Sequence, residues 1–340
     1  DLGLQQQLAL GFDSKDLEVK SEWLQEPDLR GFNFNEAERT LREVLEYRVW
    51  FDQRRGWRYT NPNLETLKLM RVEYSGIEEL AADDSLFMDG PDILNEATKE
   101  TRIKVYKEFF DHLRQAMAIK APVLDATYLE TLISKSNNRL RSPWGFSIEE
   151  KRPKPAKWFV LNPPQRRSLS LQDEDLIVRG GIRSALGKKL KSKELWAGDL
   201  RISQINQVEY GELITTLVSA AVKHGLLSEE QTCFDDVPGW LLNANAITFY
   251  LNESQDGDVK NRFFTQFYKN LANSLKSNAS MIFGFEAREH TAQVDQEKRK
   301  IRELRFRYGK NEVEELSQRK LDLKEQGESA RFLPVMFCSP

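Results

Sequence analysis

Apolar residues recur at helical spacing in several windows of the chain. In residues 36–52, "EAERTLREVLEYRVWFD", Leu41, Val44, Leu45 and Val49 share one face and predict an amphipathic helix. Gly56 and the pair Asn61-Pro62 are the breakers that follow it. Residues 99–119 predict a second helix with Ile103, Tyr106, Phe110, Leu113 and Met117 on its inner stripe, and "LDATYLETLISKSNNRL" a third, shorter one. The pattern is then lost over residues 141–170, where five prolines and seven Lys/Arg predict a linker or extended loop with room for a short strand at "KWFVL".

Helical spacing returns in "YGELITTLVSAAVKH", with Leu213, Ile214, Leu217, Val218, Ala221 and Val222 aligned and Gly225 placed to end the helix. "GLLSEEQTCFDDVPGWLLNANAITFY" follows, two apolar segments around a polar loop, the signature of a hairpin. Helix, glycine and hairpin are the order of the last part of a winged-helix domain, and equally of a generic α+β fragment. Residues 260–276 predict a helix rich in aromatics (Phe263, Phe264, Phe267, Tyr268, Leu271), "ASMIFGFEA" a buried strand, 294–307 a charged helix, 310–330 an exposed charged insertion, and "RFLPVMFCS" a closing strand. The fold class expected is α+β, mostly α. The expected division is a helical region over 1–140, a basic Pro/Gly-rich linker or loop region over 141–200, a winged-helix-like element over 201–252, and an α/β segment over 253–340.

Composition narrows the partners. A net charge of −3 with 30% charged residues gives no global pull towards nucleic acid, so any such contact must come from local basic patches. Two cysteines, Cys233 and Cys338, without a CxxC pair argue against a disulfide framework or a structural zinc, and fit a reducing cytoplasmic setting. No apolar run approaches the ~18 residues of a membrane span, and no signal peptide is present. The chain opens on Asp1 and stops at "FLPVMFCSP", which predicts an excerpt from a longer protein.

No phosphate-binding loop of the G-x-x-x-x-G-K-[ST] type occurs: "LGKKL" at 186–190 and "YGKNE" at 308–312 lack its spacing and its Ser/Thr. "QDEDLIV" at 172–178 reads as a solvated acidic turn, and no nucleophile elbow organises the Ser, His and Asp residues. Basic-aromatic stretches remain. "YRVWFDQRRGWRYTNPN" combines Arg48, Arg54, Arg55 and Arg58 with Trp50, Phe51, Trp57 and Tyr59; arginines bind phosphates and flat rings stack on bases. The competing reading makes Trp50 and Trp57 core anchors and pairs the arginines with local acids. "RGGIRSALGKKLKSK" at 179–193 is the most basic window, with Arg179, Arg183, Lys188 and Lys189 beside paired glycines that permit close backbone approach to phosphates; a surface loop is its alternative. "RLRSPWGF" at 139–146 is a third, weaker stretch.

The end of the chain adds a family resemblance. "FEAREHTAQVDQEKRKIRELRFRYG", an insertion and then "RFLPVMFCSP" resembles the second RecA-like lobe of superfamily 2 helicases. His290 matches that family's loop histidine, Arg299 and Arg302 its helix arginines, Phe306 and Gly309 its F-x-x-G close, and Leu333 to Ser339 the strand entering motif V. "EHTAQV", "LPVMFCSP" and "LEYRVWFDQRRGWRYTNPNLE" look more narrowly like a subgroup of very large bacterial DEAD/DEAH-box helicases of defence islands and DNA repair, with a long insertion between the motor lobes. The likeness to the lobe covers about 60 residues; that of the remainder is looser.

The resemblance implies the central part of an ATP-dependent DNA helicase: an accessory region, then the start of the second lobe. His290, Thr291 and Gln293 would lie near the nucleic-acid track and position a backbone; the alternative for His290 is a satisfied structural histidine. Walker A, the DExx box and motif VI are absent and motif V is cut at its threshold, so no catalytic residue carries over. ATP and Mg²⁺ would belong to the intact protein, because hydrolysis needs both lobes. The implied partners are single-stranded or forked DNA, the remaining lobes, and a nuclease or methylase, in a bacterial cytoplasm. The rivals are a non-enzymatic winged-helix nucleic-acid-binding module and a protein-interaction scaffold in a defence complex.

Overall fold

The computed structural model describes residues 23–26, 28–54, 63–141, 144–146, 152–162, 169–234, 237–252, 264–270, 287–291, 293–330, 332–333 and 335–338. The fold is α+β and mostly helical. It divides into two units, Asp1–Tyr268 and Lys269–Pro340. No helix among the described residues is long and apolar enough to cross a membrane.

The first unit opens with α1 (Gly31–Asp52), whose buried stripe includes the predicted Leu41, Val44, Leu45 and Val49. Strand β1 (Met70–Tyr74) and the short α2 (Ile77–Ala82) lead to α3 (Lys99–Gln115). Helix α3 starts at a Thr98 cap, where the Thr101 N–H donates to Oγ1 at 3.3 Å, and it buries Val105, Tyr106, Phe109, Phe110 and Leu113. Its end lies several residues before the predicted one. Met117 takes a positive φ of 63°, and the Ala118 N–H closes onto the Leu113 carbonyl at 2.8 Å. That six-residue closure normally uses glycine, and none marks it here. Gly225 does mark the end of α6 (Gln207–Lys223): it has φ +71°, and Leu226 N–H bonds the Ala221 carbonyl.

Residues 141–200 are more than a linker. Strands β3 (Trp158–Val160) and β4 (Ile177–Arg179) run parallel to each other, and β3 pairs antiparallel with β6 (Pro238–Asn243). Strand β6 also pairs antiparallel with β5 (Leu227–Gln231) and parallel with β2 (Ile119–Lys120), so the predicted hairpin is part of a five-stranded mixed sheet. Phe159 of β3 packs edge-on against Phe109 of α3, their centroids 5.4 Å apart, which fixes the sheet to that helix. Helix α4 (Ala126–Arg139), capped by Asp125, packs on α1, while β7 (Ile247–Leu251) pairs with β1 in a separate two-stranded sheet. Helix α5 (Ala185–Leu190) packs on α3.

Arg114 is fully buried where these pieces meet. Its Nε donates to Tyr74 Oη (3.0 Å), Nη1 to Gln53 Oε1 (2.6 Å), and Nη2 to Glu65 (2.8 Å) and Asp111 (2.8 Å). Tyr74 Oη in turn donates to Asp111 at 2.6 Å. A guanidinium has five donors in a rigid fork, and here they join the end of α1, the turn at residues 63–69, β1 and α3. Truncating one partner of such a network leaves buried charge uncompensated. Arg114→Met is therefore expected to cost about 3–5 kcal/mol in a denaturant titration, with Arg114→Lys unable to restore the missing bonds.

In the second unit, β8 (Ala287–His290) pairs parallel with β9 (Val335–Cys338), and α7 (Gln296–Arg307), α8 (Lys310–Gln318) and α9 (Lys320–Glu325) lie between them in sequence. The segment 310–330 is more than an exposed insertion: Leu316 and Leu323 pack on Ile301 of α7. Two buried arginines, Arg302 and Arg305, share the Glu328 carboxylate, and Arg302 also donates to the Glu289 carbonyl at 2.5 Å. The predicted strand "ASMIFGFEA" lies outside the described residues except for Ala287, and only 264–270 of the aromatic helix is described.

Asp52, 6% exposed at the end of α1, has its carboxyl pushed up to about 7 by burial. The folded state therefore holds a proton that the unfolded chain releases near pH 4. The stabilisation from this group is complete below that value and is lost as pH rises through about 7. Asp52→Asn should raise stability at pH 8 by up to about 4 kcal/mol, with a gain that shrinks towards pH 5. Thermal melts across that range check it.

Candidate nucleic-acid interface

A cleft of about 770 Å³ opens where the end of α1, the C-terminal half of α3, β4 and the turn before α5 meet. Arg54, Lys157, Arg179, Arg183 and His112 line it, with Gln115, Glu174, Gly181 and Ser184. Arg54 and Lys157 are half-buried, and Arg183 is exposed. Arg179 is balanced by Glu174 at 3.8 Å. Lys154 pairs with Asp175 and Lys189 with Glu108, so those cations are neutralised locally. Arg54, Lys157 and Arg183 form no ion pair among the described residues, although the Arg54 guanidinium lies 5.6 Å from the Phe51 ring centroid.

The electrostatics record the crowding. Burial lowers Lys157 from the ordinary lysine value, Arg54 and Lys154 lower it further, and Asp175 opposes them in part. His112 is lowered by burial and then by the Lys189 ammonium, against Glu108. The Asp175 carboxyl is held down, first by its hydrogen bond from Lys154. Like charges gathered in a partly desolvated cleft disfavour one another, and an anion placed among them relieves both costs.

The structure brings together three sequence-predicted residues, Arg54, Arg179 and Arg183, from two segments at least 125 residues apart (positions 54 and 179 being the nearest). Lys188 and Lys189 sit on α5 outside the cleft lining, with Lys189 engaged by Glu108. Arg55, Trp57 and Arg58 lie outside the described residues. For two other residues of the basic-aromatic stretch, the structural reading holds. Trp50 is 4% exposed and packs on Phe249, so it is a core anchor and offers no face to a base. Arg48 donates to the Gly145 carbonyl at 2.9 Å and lies over the Phe146 ring, a structural role. Lys157 and His112 went unrecognised in the sequence; Lys157 stood in the proline-rich stretch and His112 on a helix face, without a motif around either.

The paired glycines also divide their roles. A Cβ on Gly180 would stand 2.5 Å from Phe159 Cζ, so this glycine serves the packing of β4 against β3. A Cβ on Gly181 would meet nothing within 4 Å, and this residue lines the cleft. Gly180→Ala should therefore destabilise the chain by about 1–3 kcal/mol, while Gly181→Ala should leave its stability within about 0.5 kcal/mol. Paired denaturation curves check the contrast.

The second unit carries a smaller candidate. His290, at the end of β8, places Nε2 3.1 Å from Glu303 Oε1 on α7. His290 Nδ1, Thr291 Oγ1 and Arg299 Nε are buried atoms with no hydrogen-bond partner among the described residues. Gln293 is exposed in the same loop. Buried polar atoms without partners are uncommon and call for a ligand or water. The carboxyl end of parallel strands is where open α/β sheets take ligands.

A larger cavity of about 870 Å³ lies among Trp158, Pro122, Pro155, Leu226 and Leu241. Its lysine, Lys120, is already paired with Glu230 at 3.1 Å, so it lacks the uncompensated charge that distinguishes the basic cleft. No protein-family model, curated protein or solved structure matches the chain.

Proposed function

We propose that this chain is the strand-handling part of an ATP-dependent DNA helicase, and that the basic cleft of its first unit holds the phosphates of a DNA strand. The observation that carries the reading is the convergence of Arg54, Lys157 and Arg183, each without an ion-pair partner among the described residues, on one concave surface. Cations that neutralise phosphates give affinity without sequence preference, which suits a protein that moves along a strand.

The second unit supports the helicase part of the reading. Its order of strand, histidine loop, arginine-bearing helix and parallel strand is the order that the resemblance to a second motor lobe calls for. In this reading His290, Thr291 and Gln293 contact a strand's backbone, and their role is positioning. The residues present do not make a nucleotide site, since no phosphate-binding loop occurs in the sequence. ATP and Mg²⁺ belong to the other lobes of the proposed helicase. The proposed setting is a bacterial cytoplasm, in phage defence or DNA repair.

Fluorescence anisotropy with single-stranded and forked DNA across a salt series tests the reading. Each phosphate neutralised contributes a slope of about 0.7 in log affinity against log salt for a single strand. Lys157→Gln combined with Arg183→Gln should weaken binding to all sequences alike and flatten that slope by roughly 1.4. Binding indifferent to salt and to both substitutions would instead favour the protein-interaction scaffold.

A further inference from the structure

The basic cleft has two properties that an extended strand track would not combine. Its uncompensated cations come from three separate segments, at positions 54, 157 and 183, and converge on one pocket instead of forming a stripe. Its described lining holds no Phe, Tyr or Trp, and His112 is the aromatic ring among those residues. An internal nucleotide would bring one negative charge to these cations. A phosphomonoester brings about −1.5 to −2 at neutral pH and a third unesterified oxygen.

We propose that the cleft takes the phosphomonoester at the end of a nucleic-acid strand in preference to an internal phosphodiester. This rests on the reading of the cleft as a nucleic-acid site and narrows it to strand ends. Lys157, half-buried, supplies a compact ammonium at the side of the cleft. Arg54 and Arg183 supply guanidinium forks, a geometry matched to phosphate oxygens. The Gly181 backbone leaves the wall beside Arg183 open, since even a Cβ there would touch nothing. The preference follows from charge concentration: the second negative charge of a monoester meets cations that a single diester leaves uncompensated.

The test uses the whole chain and 3′- or 5′-labelled oligonucleotides of one sequence, carrying a 5′-phosphate, a 3′-phosphate or only hydroxyl ends. Anisotropy titrations at pH 7.5 should show one phosphorylated form binding about tenfold tighter than the hydroxyl-ended form. Arg183→Gln should bring the two to the same affinity, with melting temperature unchanged because its exposed side chain has no ion-pair or hydrogen-bond partner among the described residues. Inorganic phosphate should displace the oligonucleotide only at millimolar concentration. Equal, salt-sensitive affinity for all three oligonucleotides would overturn the end preference and leave backbone binding standing. Displacement by micromolar inorganic phosphate would reassign the cleft to a small phosphate ligand, and no binding to any oligonucleotide would overturn both readings.

Discussion

The buried Arg114 guanidinium is the constraint on which the first unit depends. A charge removed from water is tolerated only when its donors are satisfied. Here the satisfying groups are Gln53, Glu65, Tyr74 and Asp111, drawn from four parts of the chain. The network therefore does more than stabilise: it sets where α1 stops relative to α3. Arg54 follows Gln53 directly, and His112, Gln115 and Ala116 flank Arg114 on its own helix. Two walls of the basic cleft are thus fixed by a structural cation that faces the other way.

The remaining wall is fixed by packing. Phe159 on β3 rests on Phe109 of α3, and Gly180 at the end of β4 has no side chain because that ring occupies the space. Tyr210 of α6 donates to the Gly180 carbonyl at 2.8 Å and ties the same corner to a second helix. The cleft cations can remain close together, with Lys157 held below its ordinary pKa, because the frame around them does not relax. A frame of this kind presents charge to a ligand without reorganising, which is how a rigid scaffold favours binding.

The long amphipathic helices were legible in the sequence, since their apolar residues repeat over three turns or more. Helices α1, α3 and α6 fall where the periodicity of Leu41, Tyr106 and Leu217 puts them, and α4 and α7 fall in the segments expected to be helical. Strand β3 falls in "KWFVL", where a short strand was expected, but β4 was not legible, because three residues beside charges carry too little pattern. The end of α3 was missed because Met117, not glycine, adopts the left-handed turn. In the segment 310–330, Leu316 and Leu323 are enough to bury two short helices against Ile301, a signal diluted by the charges around them. Of the site, the sequence offered the basic windows but not their convergence: Arg54 and Arg183 meet Lys157 only through the tertiary fold. For Trp50 the sequence left stacking and core roles open, and its burial decides for the core.

Hydrogen exchange with and without a single-stranded oligonucleotide is the decisive measurement. On adding DNA, exchange should slow at the backbone amides of 157–160 and 177–185, with the Arg114-centred segments at 63–74 and 105–114 slow in both states. Protection confined to other segments, or none at a concentration where anisotropy reports binding, would contradict the assignment of the cleft as the site where the strand is held.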